Sequence, residues 1–295
     1  MLLEPWIWAA LASMLLYVVK VMSVRIYCRD LDANALVFYS RAFPAIALVL
    51  PAYYSDFVIT DPVRFWGAAV LATLLTIGAS TLYIRALQQG MLAIVAPVQA
   101  SIPVFMILTT LLLYREAPGP AESGLILVVT ASVSASVYQV SRHAPAAYKS
   151  QVVPMLYSLS AALLYGISTV VDRVALQAVE NGTFLYVLVW NTLTLLLIGS
   201  HQARAGKLLT PLTHRRLPVI VFMAAGLGAM ILQQYAVELS ERIPNAVTYV
   251  KTIVLMHIGI AALAGLVLLR ERLSVVLLLS NLVTLGASVA LVLTI

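Results

Sequence analysis

The sequence predicts an all-α integral membrane protein of ten transmembrane helices, built as two inverted five-helix repeats. Three observations carry that expectation. Of the 295 residues, 62% are hydrophobic and 10% charged, against about 45–50% and about 25% in a typical soluble domain. Charges and Pro/Gly punctuation cut the chain into ten apolar stretches, most near the roughly 20 residues that a membrane crossing needs. The two halves of the chain also repeat the same residue patterns in the same order.

The predicted helices run over 5–24, 34–54, 66–86, 92–113, 122–138, 153–176, 184–198, 217–239, 244–268 and 273–294, the seventh being the shortest. No basic region precedes the first stretch and no small-residue cleavage site follows it, so it reads as a spanning helix and not a signal peptide. Trp6 and Trp66 fall at span ends, where indoles anchor at the membrane interface. Pro97 and Pro103 predict a kink in the fourth helix, tolerable where freed backbone groups line a cavity. The longest polar stretches are 143–151 and 201–216, and no soluble domain interrupts the spans. Residues 1–140 form the first repeat, 141–151 the connecting loop and 152–295 the second repeat.

The net charge of +6 is spread over separate loops, as expected of topology signals beside anionic lipid and not of a nucleic-acid-binding face. Ten spans place eleven Lys and Arg on the side opposite the termini and four on the terminal side, with Lys20, Arg41 and Lys251 inside spans. That excess predicts a multi-pass protein of a cell (inner) membrane with both termini outside. The single cysteine, Cys28, excludes an intrachain disulfide and a cysteine zinc site.

Leu15, Leu16 and Tyr17, with Arg25 eight residues past the tyrosine, recur as Leu163, Leu164, Tyr165 and Arg173. Tyr83 and Leu87 recur as Tyr235 and Leu239, and Arg115 with Glu116 as Arg270 with Glu271. Five spans per half is an odd number, so the second half inserts upside down. Inverted repeats are a recurrent plan of secondary transporters, which hold substrate near the midplane at the repeat interface.

At these residues the sequence resembles the drug/metabolite transporter superfamily, in its ten-helix EamA-like branch, related to the nucleotide-sugar and triose-phosphate carriers. Tyr83 to Leu87 leading into Ala96 and Pro97, then Leu113, Arg115, Glu116 and Gly124, carry the resemblance in the first half. Tyr235 to Leu239 and Leu268 to Glu271 carry it in the second, and Lys251 with Thr252 resembles the Lys-Thr pair of the sugar-phosphate branch. The chain departs from the family's paired glycines: Ala131 and Leu279 stand where one of each pair is expected. The resemblance implies ten helices and metabolite transport.

Ionisable residues inside spans are costly and face a bundle interior or a watery cavity. Lys251 lies in an otherwise uncharged stretch from 243 to 269, with Asn245, Thr248, Tyr249 and Thr252 on one broad helical face. A cationic tip among neutral hydrogen-bonding groups suits an anionic or carboxylate-bearing solute; the alternative is an interior lysine bonded to backbone carbonyls. Gln99 falls opposite Lys251 in the repeat alignment and reads either as substrate contact or as an interhelical bond. Tyr17 and Lys20 share one face of the first helix with Ser13, and Tyr165 and Thr169 share one face of the sixth with Asp172. Snorkelling is the alternative for Lys20. Asp172 is a coupling candidate or the partner of an interfacial ion pair. Glu116 and Glu271 read as anchors or gate latches, and Arg41 as a structural bond to a neighbouring helix end ahead of a substrate contact.

Motifs for phosphate-loop, zinc-protease, diphosphate–magnesium or serine-hydrolase chemistry are absent from the sequence, so the expectation is no catalytic residue, metal or cofactor. The expected partners are a small-molecule substrate and membrane lipid. A lipid flippase, or a membrane-embedded enzyme, are the alternatives to a transporter of amino acid-like or anionic metabolites. On this reading Lys251→Ala abolishes transport in vesicles while the protein still inserts and folds; full activity in that variant would remove Lys251 from the site.

Overall fold

A computed structural model describes residues 4–115, 119–138, 150–204, 213, 215–239, 250, 253–254, 256–271 and 275–294. Helix α1 spans Pro5–Tyr27; its proline sits in the first turn, where the missing N–H costs nothing. The second predicted span is broken in two, α2 (Ala33–Ala47) and α3 (Val49–Tyr54). Pro51 has no N–H to return to the carbonyl of Ala47, which accounts for the break at Leu48. Asp32 caps α2 by accepting from the Ala35 amide at 3.0 Å, and Asp61 caps α4 (Pro62–Gln89) in the same way through Arg64.

The fourth span comprises α5 (Leu92–Val98), a 3₁₀ turn at Gln99–Ser101 and α6 (Ile102–Tyr114). Pro103 cannot donate to Gln99, so the ladder tightens there, as the two prolines predicted. Then follow α7 (Pro120–Tyr138), α8 (Val152–Leu176), α9 (Thr183–Arg204), α10 (Arg216–Leu239), α11 (His257–Val267) and α12 (Val275–Thr294). Helix α9 is longer than the 184–198 expected of it. Most of the start of the ninth predicted span, including Asn245, Thr248, Tyr249, Lys251 and Thr252, lies outside the described residues, as does Glu116.

Six of the described helical segments are long and apolar enough to cross a membrane, with shorter apolar helices at Ser123–Ala135, His257–Val267 and Leu278–Ala287. Their packing is that of a lipid-embedded bundle. Between Trp66 and Ala79 of α4 the buried positions are Ala68, Ala69, Ala72, Thr73, Thr76 and Ala79, while Val70, Leu71 and Leu74 are exposed. Small residues turned inward let helices approach closely where lipid tails already solvate the large apolar ones.

Helices pair across the middle of the chain: α1 with α10, α4 with α8, α2 with α9, α5 with α11 and α7 with α12. Polar groups join these pairs. Ser13 donates to the Ala229 carbonyl at 2.7 Å, and Thr76 and Ser168 share a 2.8 Å bond. Ser132 and Ser280 each donate to the other's carbonyl at 2.7 Å. A two-stranded antiparallel ribbon, β1 (Val58–Ile59) with β2 (Val179–Glu180), ties the turn before α4 to the turn before α9. The hydropathy pattern gave no sign of that ribbon.

Helices α6 and α8 approach backbone to backbone at Gly166. A β-carbon on Gly166 would stand 2.5 Å from that of Phe105 and 3.0 Å from the Met106 nitrogen. Gly166→Ala is therefore expected to destabilise the bundle by about 1–3 kcal/mol through overpacking, read as a lower melting temperature in detergent. Gly67→Ala, with open space around it, serves as the control and should leave the melting temperature unchanged or raise it.

Candidate functional site

One cavity of about 410 Å³ lies inside the bundle, bordered by α1, α2, α4, the 3₁₀ turn, α8, α9, α10 and α11. Its volume falls within the roughly 300–1,000 Å³ usual for small-molecule sites.

Helical spacing delivers the side chains. Tyr17 and Lys20 are three residues apart on α1, and Tyr165 and Thr169 four apart on α8; all four line the cavity. Lys20 does not snorkel to the interface. Its stem packs against Gly226 of α10, and its ammonium sits 5.5 Å from the centre of the Phe222 ring and 5.9 Å from that of Tyr17. Tyr17 stacks on His257 with ring centres 5.2 Å apart, and its hydroxyl lies 3.4 Å from Gln233 Oε1. Tyr165 shares a 2.8 Å bond with Ser80 of α4. The two tyrosines matched between the halves thus each bond a helix of the opposite half.

Gln99 also lines the cavity, and its amide nitrogen donates to the Ser158 carbonyl at 2.7 Å and to Ser158 Oγ at 3.0 Å. The interhelical bond that was one alternative for Gln99 is thus made. Ser13, on the same face of α1 as Tyr17, is spent on the α10 backbone and is not a lining residue. Asp172 is likewise absent from the lining: it accepts a short hydrogen bond from the Tyr186 hydroxyl and so ties α8 to α9.

Arg41, read as a structural bond or a substrate contact, faces the cavity with its guanidinium 4.1 Å from the centre of the Trp190 ring on a neighbouring helix. Its Nε is buried with no hydrogen-bond partner among the described residues, and the same holds for Trp190 Nε1. Helices α2 and α9 bring Arg41 and Trp190 to the cavity. The available signal was a formal charge two turns into a span, the same one that singled out Lys20. Among the described lining residues Lys20 and Arg41 are cationic, and none is a carboxylate.

Glu271, read as an anchor or a gate latch, joins the segment after α11 to the start of α5. Its carboxylate accepts from the Leu92 and Ala93 amides at 2.9 and 2.8 Å, capping α5, and lies 3.4 Å from Arg25. Charge-assisted bonds to a helix start are among the strong ones. Arg25 also donates to the Gln88 carbonyl at 3.1 Å. Space for this arrangement comes from Gly265, where a β-carbon would stand 2.8 Å from Glu271 Oε2 and 3.0 Å from the Ala93 nitrogen. Arg270 turns the chain into position with φ 52°, and Arg115, its match in the first half, has φ 56°. Nearby, burial, and secondarily Asp30, pushes the Cys28 thiol up to about 11, so it stays protonated and unreactive.

Residues 4–138 match the model of the EamA-like transporter family. No curated protein matches the chain. One solved crystal structure covers 95% of this chain and 94% of its own length, at a TM-score of 0.57 and 17% identity; that likeness is one of fold.

Removing the Glu271 carboxylate leaves Arg25 without its ion pair and two α5 amides without their acceptor. Glu271→Ala is expected to cost about 3 kcal/mol. A double-mutant cycle with Arg25→Gln should show the two losses to be non-additive; additive losses in thermal melts would mean that the pair does not act as a unit.

Proposed function

We propose, from the match of residues 4–138 to the EamA-like transporter family, that the chain is a secondary carrier, an exporter or exchanger, moving a small anionic or carboxylate-bearing metabolite by alternating access. The observation that carries the reading is the central cavity, where Lys20 and Arg41 rest on aromatic faces and meet no carboxylate among the described lining residues. Tyr17, Gln99 and Tyr165 would complete its walls with hydrogen-bonding and aromatic surface. Lys251, with Asn245, Thr248, Tyr249 and Thr252, would add the ninth span's share.

Alternating access needs two halves that rock about a fixed site. Ten spans in two inverted repeats, 1–140 and 152–295, would supply them. Support comes from the pairing of each half's first helix with the other half's third, α1 with α10 and α4 with α8. The reciprocal Ser132–Ser280 bonds and the shared left-handed turn at Arg115 and Arg270 support the same reading. In this scheme Glu271 and Arg25 latch one end of the cavity, together with the buried apolar cluster that includes Val24, Ile84 and Leu87. Glu116 would be the matching latch of the other half. Asp172 would have to leave Tyr186 before it could carry a proton.

A lipid flippase is the second reading. An apolar groove of about 380 Å³ between α5, α11 and α12 shares Ile258 with the polar cavity, which is the juxtaposition that an amphipathic lipid would use.

Counterflow in proteoliposomes decides between them. Vesicles preloaded with unlabelled solute should take up labelled small anions, and the Lys20→Gln, Arg41→Gln double variant should lose that uptake by at least about tenfold while eluting as a monodisperse protein. Movement of a labelled lipid between leaflets, with no solute flux, would put the flippase in the carrier's place.

A further inference from the structure

We propose that the transported metabolite is a dianion, a short dicarboxylate or a phosphate monoester, with one charged end on Arg41 and the other toward Lys20, and that zwitterionic amino acids are poor substrates. The proposal rests on the carrier reading above and names its substrate class.

Lys20 and Arg41 come from neighbouring helices of the first half but lean on different helices of the second, Lys20 on α10 and Arg41 on α9. They are two separate anchor points on one cavity. Neither forms an ion pair among the described residues. Cation–π contact compensates a desolvated charge only in part, so the two basic side chains call for counter-charge. The rest of the chain supplies little. Of its acidic residues, Asp172 and Glu238 fall in or near span interiors. Asp172 acts on Arg41 through its charge, but it is bonded to Tyr186 and does not line the cavity, and Glu238 is one residue from the end of α10.

Geometry then sets the kind of anion. An arginine stacked face-on to an indole presents its N–H groups at the ring's edge, in the plane that a carboxylate or phosphate engages with two oxygens. Arg41 Nε and the Trp190 indole N–H are covered by protein and make no hydrogen bond among the described residues, which leaves the terminal guanidinium nitrogens to meet the anion. The other end is different. A lysine ammonium is a compact point charge that accepts anions in any orientation, and Lys20 lies over the rings of Tyr17 and Phe222. A zwitterion fits this arrangement poorly. Its carboxylate would satisfy one cation, while its ammonium would enter a cavity that already holds a second cation and offers no carboxylate among the described lining residues.

The test uses the full-length protein in liposomes and in detergent. Counterflow and thermal stabilisation are compared for succinate, glycerol phosphate, a monocarboxylate of matched size and alanine or phenylalanine. Dianions should exchange and raise the melting temperature at concentrations about 100-fold lower than the amino acids need. Lys20→Met or Arg41→Gln should erase that advantage and leave monoanions the better ligands. A further readout separates binding from a structural role: without ligand, Lys20→Met should melt at or above the wild-type temperature, because an unpaired buried charge has been removed. A lower melting temperature, with the dianion preference intact, would make Lys20 a structural residue and overturn the two-point site. Exchange of amino acids with no competition from dianions would overturn the substrate class and leave the carrier reading standing. Failure of every solute to exchange would remove the carrier reading, and this inference with it.

Discussion

Inside a bilayer there is no water to accept a stray charge or an unpaired backbone group, and the rest of the structure is arranged around that constraint. Where the helical ladder is interrupted, at Leu48 before Pro51 and at Gln99–Ser101 before Pro103, the cause is a missing N–H. The second interruption borders the polar cavity through Gln99. Where charges are structural they are paired: Glu271 meets Arg25 and two amides at once, with only 7% of its side chain exposed. Lys20 and Arg41 stand apart from that pattern, with aromatic faces in place of carboxylates.

The same constraint shapes how helices meet. Between apolar helices in lipid there is no hydrophobic gain in packing large side chains inward, so contact falls to small residues and to short polar links. The inward stripe of alanine and threonine on α4, the close approach at Gly166 and the reciprocal serines of α7 and α12 are three forms of that solution. The links run mainly between halves of the chain. Glu271, from the second half, caps α5, from the first, so a change at one end of the cavity is felt by both halves.

Much of this was legible in the sequence, and what was missed has physical reasons. Composition and punctuation marked the helical bundle, and a formal charge inside a span marked Lys20. Residue matches between halves marked Tyr17, Tyr165 and Glu271. Arg41 carried the same signal as Lys20 but reads as a structural bond ahead of a substrate contact, because one-dimensional spacing cannot say whether a neighbouring helix offers a carbonyl or an indole face. Trp190 carried no signal, since an aromatic in an apolar stretch looks like any lipid-facing side chain. The β1–β2 ribbon depends on two turns distant in sequence meeting in space, which no local pattern records. The break in the second span was readable in Pro51, though not its position at Leu48.

Two cations held on aromatic rings cost the empty protein stability that neutral side chains of the same shape would not. That cost is offset only when a counter-charge arrives, and a ligand that binds the folded state stabilises it by the same free energy that measures its affinity. Stability and recognition are therefore one term seen from two sides. A scaffold that satisfies Arg25 so fully, with Glu271 and backbone carbonyls, has the means to satisfy Arg41 and does not. The contrast within a single bundle, one arginine neutralised and one left on Trp190, is what supports reading the cavity as a site and not as a packing defect.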